Sequence, residues 1–460
     1  MTHFRYFALL VPFLVCGKVG AQTIRISCPF FFDDKSQRIA CIEALFSQDN
    51  YHFAMASLPP SNGFAPGLVL EYRRHLVSSA PPGGEAKKSL VDLSATLAGS
   101  TNSSWTAGGD FRWILPRGYK QPQTVEDRSA YLWLENHLET ETLHASFAHR
   151  TVRTLYYFGE GSGSPDQQFV FAEDDTFGFL RFRYPVNDSL AFTLEAGGNA
   201  TSLPLIGSAQ SVVKHFPSDL PGLAMQPAFA KFSANVSTSI QKEIGGVFSG
   251  LPEQDNPHFQ KEMPLAAANQ VSYTWNQTVD GAPFSFQRFT FMSDEQLGLK
   301  FRSRNMFSAD KHPFVTKYVC GNNKQRQQCS FGEVDVHALL DLSHTGSGNQ
   351  VPFYLEPTLG GTDVDSQVTL RGWDNYRFRG KDRALLQLEY GVTVWDPFGA
   401  FVFYDAGNVG VSPSDLSPLD FRQDSGLGLS VRVRGHAIAQ TFVAWGAGDT
   451  RWNYNFSKSF

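Results

Sequence analysis

The chain has little of several features that mark common protein classes. Its 460 residues include only six Met beside 40 Phe, and its formal net charge is −5 with a pI near 6.2. Outside the N-terminus, no stretch approaches the roughly 18 consecutive apolar residues that a transmembrane helix needs. The sequence therefore predicts no helical membrane span, and its charge gives no reason to expect a nucleic-acid partner.

Catalytic and ligand-binding motifs are missing as well. We find no phosphate-binding G-x-x-x-x-G-K-[ST], no G-x-S-x-G and no H-E-x-x-H, and the 12 His lack ligand spacing. The glycine-rich stretch Gly159–Ser164 is interpreted as a turn. The acidic run Glu173–Asp175 is interpreted as a solvated loop, with a divalent-cation site as the less favoured alternative. We expect no enzymatic activity, metal or cofactor.

The N-terminus has the features of a secretory signal peptide. Arg5 precedes an apolar run, Phe7–Val15, and the small residues Val19 and Ala21 occupy the positions that a signal peptidase reads. Cleavage after Ala21 predicts a signal peptide of residues 1–21 and export of the remaining chain.

Cysteine is scarce. One of the five, Cys16, closes only a weak lipoprotein box, since Val15 is poorly suited to precede a lipidated residue. Four cysteines remain after cleavage, namely Cys28, Cys41, Cys320 and Cys329. In an oxidising periplasm two local disulfides are the natural expectation, although three connectivities are open.

Aromatic residues and period-two alternation are what the chain does have. Phe, Tyr and Trp favour strands and form the interfacial girdles of membrane barrels. Residues 333–343, 383–394 and 426–434 each place apolar side chains on one face and polar ones on the other. The end of the chain, 451–460, alternates in the same way and finishes on Phe460.

A soluble sandwich and a membrane barrel both produce this pattern. Several alternating runs reach 11–12 residues, near the ~9–11 that cross hydrocarbon at a tilt and longer than the ~5–6 usual in globular sheets. The terminal Phe460 resembles the C-terminal sorting signal of outer-membrane barrels, although Lys458 departs from it. We therefore predict an all-β, transmembrane antiparallel β-barrel in the outer membrane.

The alternating segments define the number of strands less clearly than they define the fold class. Lipid leaves no partner for an open sheet edge, so the sheet must close and an even number of strands is expected. Sixteen is the prediction, with twelve or fourteen as alternatives. The candidate strands are 66–76, 89–99, 102–115, 129–137, 143–156, 176–185, 189–198, 226–240, 271–279, 284–292, 296–302, 331–343, 383–394, 398–408, 425–434, 437–447 and 451–460.

These strands imply a simple domain organisation. A short N-terminal periplasmic segment, 22–64, precedes a barrel of residues 65–460. The larger connections, 203–222, 249–268 and the cysteine-containing 320–329, are expected at the extracellular end.

Residues 359–409 contain three motifs in order, namely Leu370-Arg371-Gly372-Trp373, Leu388-Glu389-Tyr390 and Phe403-Tyr404-Asp405-Ala406-Gly407. With this order they resemble the BamA/TamA superfamily of outer-membrane assembly and translocation barrels, also called the bacterial surface-antigen family. The first is similar to the family motif (V/L/I)-R-G-(F/Y), with Trp in place of Phe or Tyr. The second is similar to the next strand of the family, and the third to the F-x-D-x-G strand after it.

The resemblance implies that the loop 355–380 folds into the barrel lumen. Alternation places Glu389 and Asp405 on the polar faces of neighbouring strands, where two confined carboxylates need a cation between them. The resemblance assigns that role to Arg371, flanked by Gly372 and Trp373. The alternative is that Arg371 is a solvated loop cation. Its neighbour Arg379 is expected to matter less than Arg371.

About forty residues separate the expected cleavage site from the first candidate strand, too few for one of the periplasmic POTRA domains of the family. The resemblance is therefore to short members without such domains. It implies insertion or translocation of protein or lipid at the outer membrane. The alternative is a passive channel or a structural outer-membrane protein. Expected partners are outer-membrane lipid and lipopolysaccharide, the barrel assembly machinery, and client polypeptides or lipids. A homo-oligomer is left open.

Overall fold

Sixteen antiparallel strands form one sheet, in which each strand pairs with the strand of that sheet that follows it in the chain. The computed structural model describes residues 51–55, 58–59, 61–62, 65–77, 88–115, 141–208, 210–216, 220–245, 259–303, 327–364, 367–395, 398–433, 436–446 and 449–456. The expected signal peptide, Cys28, Cys41, Cys320 and Phe460 lie outside these residues. Only the backbone of Cys329 is described, and it lies opposite Phe301 in an antiparallel strand pair.

The strands of the sheet are long, and most have ten residues or more. They are β1 (Tyr51–Met55), β2 (Pro66–Val77), β3 (Lys88–Gly99), β4 (Trp105–Ile114), β5 (Thr142–Tyr157), β6 (Phe169–Asn187), β7 (Leu190–Ser202), β8 (Ala228–Gly245), β9 (Phe259–Thr278), β10 (Phe286–Ser303), β11 (Gln327–Thr345), β14 (Asp382–Trp395), β15 (Phe398–Gly410), β16 (Arg422–Val433), β17 (His436–Gly446) and β18 (Asp449–Phe456).

The other elements are short. A two-stranded sheet pairs β12 (Thr358–Leu359) with β13 (Phe378–Arg379). One turn of α-helix spans Val212–His215, and 3-10 turns span Phe353–Leu355, Pro413–Asp415 and Pro418–Asp420. No helix among the described residues is both long enough and apolar enough to cross a membrane.

Alternation decides which way each side chain of the sheet points. In β16, Leu427 and Leu429 are 52% and 62% exposed on the outer face. Leu388 and Tyr390 of β14 are exposed on the same side of the sheet, whereas Glu389 between them faces inward. Because side chains alternate along a strand, one face of the sheet is apolar and the other carries the charges.

Residues 346–364 and 367–381, between β11 and β14, pack against the inner face of the sheet, and we call them the lumen segment. On one side, its Phe353 and Tyr376 pack with apolar residues of β5 and β6. On the other side, its Leu359 and Leu370 pack with apolar residues of β11, β14 and β15. A single segment can touch strands so far apart in sheet order only because the sheet curls around it. The long loop therefore lies inside the curled sheet, as expected.

The all-β antiparallel fold and the prediction of about sixteen strands are confirmed, although individual strands differ. The candidates 284–292 and 296–302 are one strand, β10, whose register shifts between Gly298 and Lys300. Strand β1 was not predicted and begins ahead of the boundary expected at residue 65. The candidate 129–137 lies outside the described residues.

The expectation that three large connections share one end of the sheet is wrong. In an antiparallel meander, connections after odd-numbered and even-numbered strands lie at opposite ends. Residues 203–222 follow β7, whereas residues 249–258 and 304–326 follow β8 and β10. Residues 259–268 belong to β9 rather than to a loop.

Candidate functional site

Arg371 is the centre of a buried ion-pair cluster on the lumen segment. Its Nε donates to Asp405 Oδ2 at 2.8 Å and its Nη2 donates to Asp405 Oδ1 at 2.8 Å. Its Nη1 donates to Glu389 Oε2 at 2.6 Å. We call these three residues the Arg371 latch. The guanidinium fork suits two carboxylates geometrically, and such charge-assisted hydrogen bonds are the strong ones.

The positions of the two acids follow from strand register. Glu389 of β14 lies opposite Phe403 of β15, and Asp405 lies two residues further along β15, opposite Gln387. The two carboxylates are therefore diagonal neighbours on the inner face of adjacent strands. Gln387 joins the cluster, because its Nε2 donates to Asp405 Oδ1 at 3.2 Å and to the carbonyl oxygen of Thr369 at 2.8 Å.

Burial makes the Arg371 latch a strong constraint on the lumen segment. Arg371 is 6% exposed, Asp405 is fully buried, and the guanidinium carbon lies 3.6 Å from the ring centre of Phe403. Burial alone lowers the pKa of Arg371, but hydrogen bonds and charge from Asp405, followed by Glu389, outweigh it and raise that pKa. Removing one partner from such a buried cluster leaves an uncompensated charge.

Two glycines let backbone approach backbone at the latch. A Cβ added at Gly372 would lie 2.7 Å from Asp424 Cβ and 2.9 Å from the backbone N of Gly446. A Cβ added at Gly407 would lie 2.8 Å from the carbonyl oxygen of Ala384 and 2.9 Å from Leu359. Both positions therefore exclude a side chain. Trp373 packs edge-on against Phe378 at 4.8 Å between ring centres.

A second ion-pair cluster of reversed polarity holds the same segment. Arg383 of β14 points inward and contacts Asp341 of β11 at 2.7 Å and Asp363 of the lumen segment at 3.0 Å. We call these residues the Arg383 latch. Here the wall supplies the cation and the segment supplies an acid. Sequence reasoning missed this cluster, although Asp341 and Arg383 both fall on predicted polar faces and pair directly in the sheet.

Two further arginines of the lumen segment face β5 and β6. Arg377 donates to Ser164 Oγ, to the Ser164 carbonyl oxygen and to Asp166 Oδ1, each at 2.7 Å. Arg379 is 1% exposed and donates to the carbonyl oxygen of Phe353 at 2.7 Å. Arg379 is therefore at least as deeply buried as Arg371, and neither arginine is a solvated loop cation.

Two carboxyl groups near Arg379 have raised pKa values. Burial raises the pKa of Glu356 to about 8, with a further rise from the charge of Glu160, despite the opposing charge of Arg379. Burial likewise raises the pKa of Glu160. Glu356 is 6% exposed, and its Oε2 has no hydrogen-bond partner among the described residues. The contact between the lumen segment and the β5–β6 connection thus includes acids that are costly to ionise.

Two weaker motifs from the sequence have different outcomes. The stretch Gly159–Ser164 is the turn that was predicted, with positive φ at Gly159 and Gly161. The acidic run Glu173–Asp175 is not a solvated loop but part of β6, where Glu173 is buried and contacts Arg150 at 3.4 Å. Glu173 and Asp175, two residues apart, point to the same face of the sheet, and Thr201 Oγ1 donates to Asp175 Oδ1 at 3.0 Å.

The interior beside the lumen segment contains two polar cavities of about 650 and 620 Å³. Arg183, Ser237 and Gln270 line both cavities. Arg371 and Glu389 border the first, and Arg383 borders the second. Within the described part of the chain, no three His, Cys, Asp or Glu side chains are grouped to hold a metal ion.

Comparison with known proteins gives a distant structural likeness only. No protein-family model matches the chain, and no curated protein matches it. Among solved structures, it is similar to BamA from Haemophilus ducreyi lacking POTRA domains 1–3. That similarity has 10% sequence identity and a TM-score of 0.45, and covers 89% of this chain and 69% of that chain. We therefore base the functional assignment on the strand pairing and on the contacts of the lumen segment.

Proposed function

We propose that this protein is an outer-membrane β-barrel of the BamA/TamA type that inserts or translocates polypeptide or lipid at that membrane. The observation that carries the proposal is the Arg371 latch. In it, the arginine of the R-G-W sequence binds the acids of the two strands that follow it. The latch attaches the lumen segment to the strands by noncovalent contacts, so a change of state in the interior would proceed by breaking these contacts.

The outer face of the sheet supports the membrane location. Leu97, Leu194 and Leu429 are each 61–62% exposed on the outer face of the sheet. Exposed leucines on strands of ten or more residues suit hydrocarbon better than water. Extraction should therefore require detergent, and a mature chain that is monodisperse in buffer alone would refute the membrane location.

The terminal strands favour an active role over a passive one. Among the described residues, β1 pairs with β2 and β18 pairs with β17, and no ladder joins β1 to β18. An insertion mechanism uses such an edge to receive a client strand or lipid.

A passive channel is the second candidate, and the polar cavities favour it. Planar-bilayer conductance and crosslinking to newly made barrel proteins separate the two functions. A photoreactive residue in place of Tyr454, 76% exposed on β18, should capture client polypeptide if the first proposal holds. One in place of Tyr184 on β6, 38% exposed, is the matched position away from both terminal strands. Steady conductance without any client adduct would favour the channel.

The proposed function also implies where the protein is located and what surrounds it. It would be exported by the signal peptide of residues 1–21, assembled by the barrel assembly machinery, and surrounded by lipid and lipopolysaccharide. Its clients would be polypeptides or lipids.

A further inference from the structure

We infer that Arg451 and Asn453 position the last strand, β18, on the tip of the lumen segment, so that the Arg371 latch and β18 are held together. The inference rests on the proposed function for its biological meaning, because an insertion barrel has to control its terminal strand. It assigns positioning roles to two residues that neither the motifs nor the alternation singled out.

Two polar contacts join β18 to the tip, Arg371–Asp374. Arg451 Nη1 donates to Asp374 Oδ1 at 2.6 Å. Asn453 Nδ2 donates to the backbone carbonyl oxygen of Arg371 at 3.3 Å. Arg451 and Asn453 therefore face the interior. Trp452, between them, is 72% exposed on the outer face.

Close backbone approach adds a third connection next to these two. Gly372 lies against Gly446 at the end of β17 and against Asp424 of β16, with no room for a Cβ. β17 in turn pairs with β18 along its length. The tip thus sits in a notch formed by the last three strands of the sheet.

One residue, Arg371, connects the two sides of this arrangement. Its guanidinium binds Glu389 of β14 and Asp405 of β15, while its own carbonyl accepts from Asn453 of β18. Withdrawal of the tip would break all of these contacts in one movement. β18 would then keep only its ladder with β17 among the described pairings.

The Arg451–Asp374 ion pair is weak by itself. The side chains of Arg451 and Asp374 are 32% and 49% exposed, and ion pairs with such exposure contribute little. The positioning must come from the ion pair, the Asn453 hydrogen bond and the Gly372 contact acting together. A test therefore begins with changes to the tip that leave the residues of β18 in place.

Hydrogen exchange of the full-length protein in lipid nanodiscs provides that test. Arg371→Ala should accelerate exchange of the β18 amides by roughly tenfold, the factor that a loss of about one strong hydrogen bond would give. Asp374→Asn should accelerate it by about two- to fivefold. Asp363→Asn is the matched control, because it weakens the Arg383 latch on the same segment, and that latch is formed with β11 and β14 rather than with β18.

Swapping the charges of the ion pair separates a positioning role from general destabilisation. Asp374→Arg should loosen β18, and adding Arg451→Asp should restore slow exchange. Only molecules that retain the folded, heat-sensitive mobility on gels are measured, and Asp374→Asn remains informative if Arg371→Ala fails to fold. Unchanged β18 exchange in both Arg371→Ala and Asp374→Asn would overturn the inference, as would equal acceleration by Asp363→Asn. If hydrogen exchange changes as expected but no client adducts form at position 454, only the assembly role is refuted.

Discussion

Arg371 of the lumen segment and Asp405 of β15 form a two-point ion pair in which Nε and Nη2 each lie 2.8 Å from a different carboxylate oxygen. The backbone N of Arg371 also donates to Asp405 Oδ2, at 3.2 Å. One wall carboxylate therefore fixes both the side chain and the main chain of the segment. Its geometry restricts the segment to one depth in the lumen.

Replacing Arg371 tests the energetic importance of this pair. Arg371→Ala should destabilise the folded barrel by roughly 3–5 kcal/mol, because Asp405 and Glu389 lose their buried cation. Arg371→Lys should recover only part of the loss, since an ammonium group cannot make the two-point contact. Urea unfolding in detergent micelles measures both. Arg153→Ala, at an exposed position of β5, is the control and should leave stability nearly unchanged.

Charge exchange tests the Arg383 latch. Asp363→Arg should weaken attachment of the lumen segment, because it brings a second cation toward Arg383. The double variant Asp363→Arg with Arg383→Asp should regain part of the stability through the reversed pair. Asp341 then faces a carboxylate, so recovery cannot be complete. Protease protection of the segment is the measurement, and a double variant no better than the single one would contradict the pairing.

Gly372 should not tolerate a side chain. Gly372→Ala would bring a Cβ within 3 Å of both Asp424 and the backbone of Gly446, which overpacks the notch at a cost of about 1–3 kcal/mol. Gly163→Ala, where the added Cβ meets nothing within 4 Å, is the matched substitution in an open turn. Heat-dependent gel mobility compares them, and equal midpoints would show that the notch can widen freely.

The stability of the barrel should depend on pH through Glu356. Its pKa in the folded chain is about 8, above the ordinary value of 4.5. The folded state therefore binds the proton more tightly than the unfolded state does. The resulting stabilisation is complete below about pH 4.5 and declines as pH rises toward 8, by on the order of a few kcal/mol.

Glu356→Gln removes this titration. We expect the variant to match the parent at low pH, to exceed it in stability above pH 8, and to flatten the decline between. Unfolding midpoints at pH 5, 7 and 9 measure the effect. Glu141→Gln, an acid next to the start of β5 for which no such burial holds, provides the control. A parent chain whose midpoint rises between pH 5 and 9 would contradict the prediction.

Alternation in the sequence was sufficient to determine the all-β fold. Each side chain of an antiparallel strand has only two directions, so Leu427 and Leu429 must share a face wherever the strand lies. The same rule put Glu389 and Asp405 inside. Resemblance of a few residues around Arg371 then supplied the partner for those acids, and the structure brings all three together.

Tertiary structure decided what alternation cannot encode. Asp341 and Arg383 belong to none of the motifs, and only strand register and the path of the lumen segment bring them to Asp363. The burial of Arg379 likewise depends on packing against Phe353. The sequence by itself determined the direction of each side chain, because that is a local property of the strand. Which charges meet was decided by the curl of the sheet, which depends on contacts between residues distant in the chain.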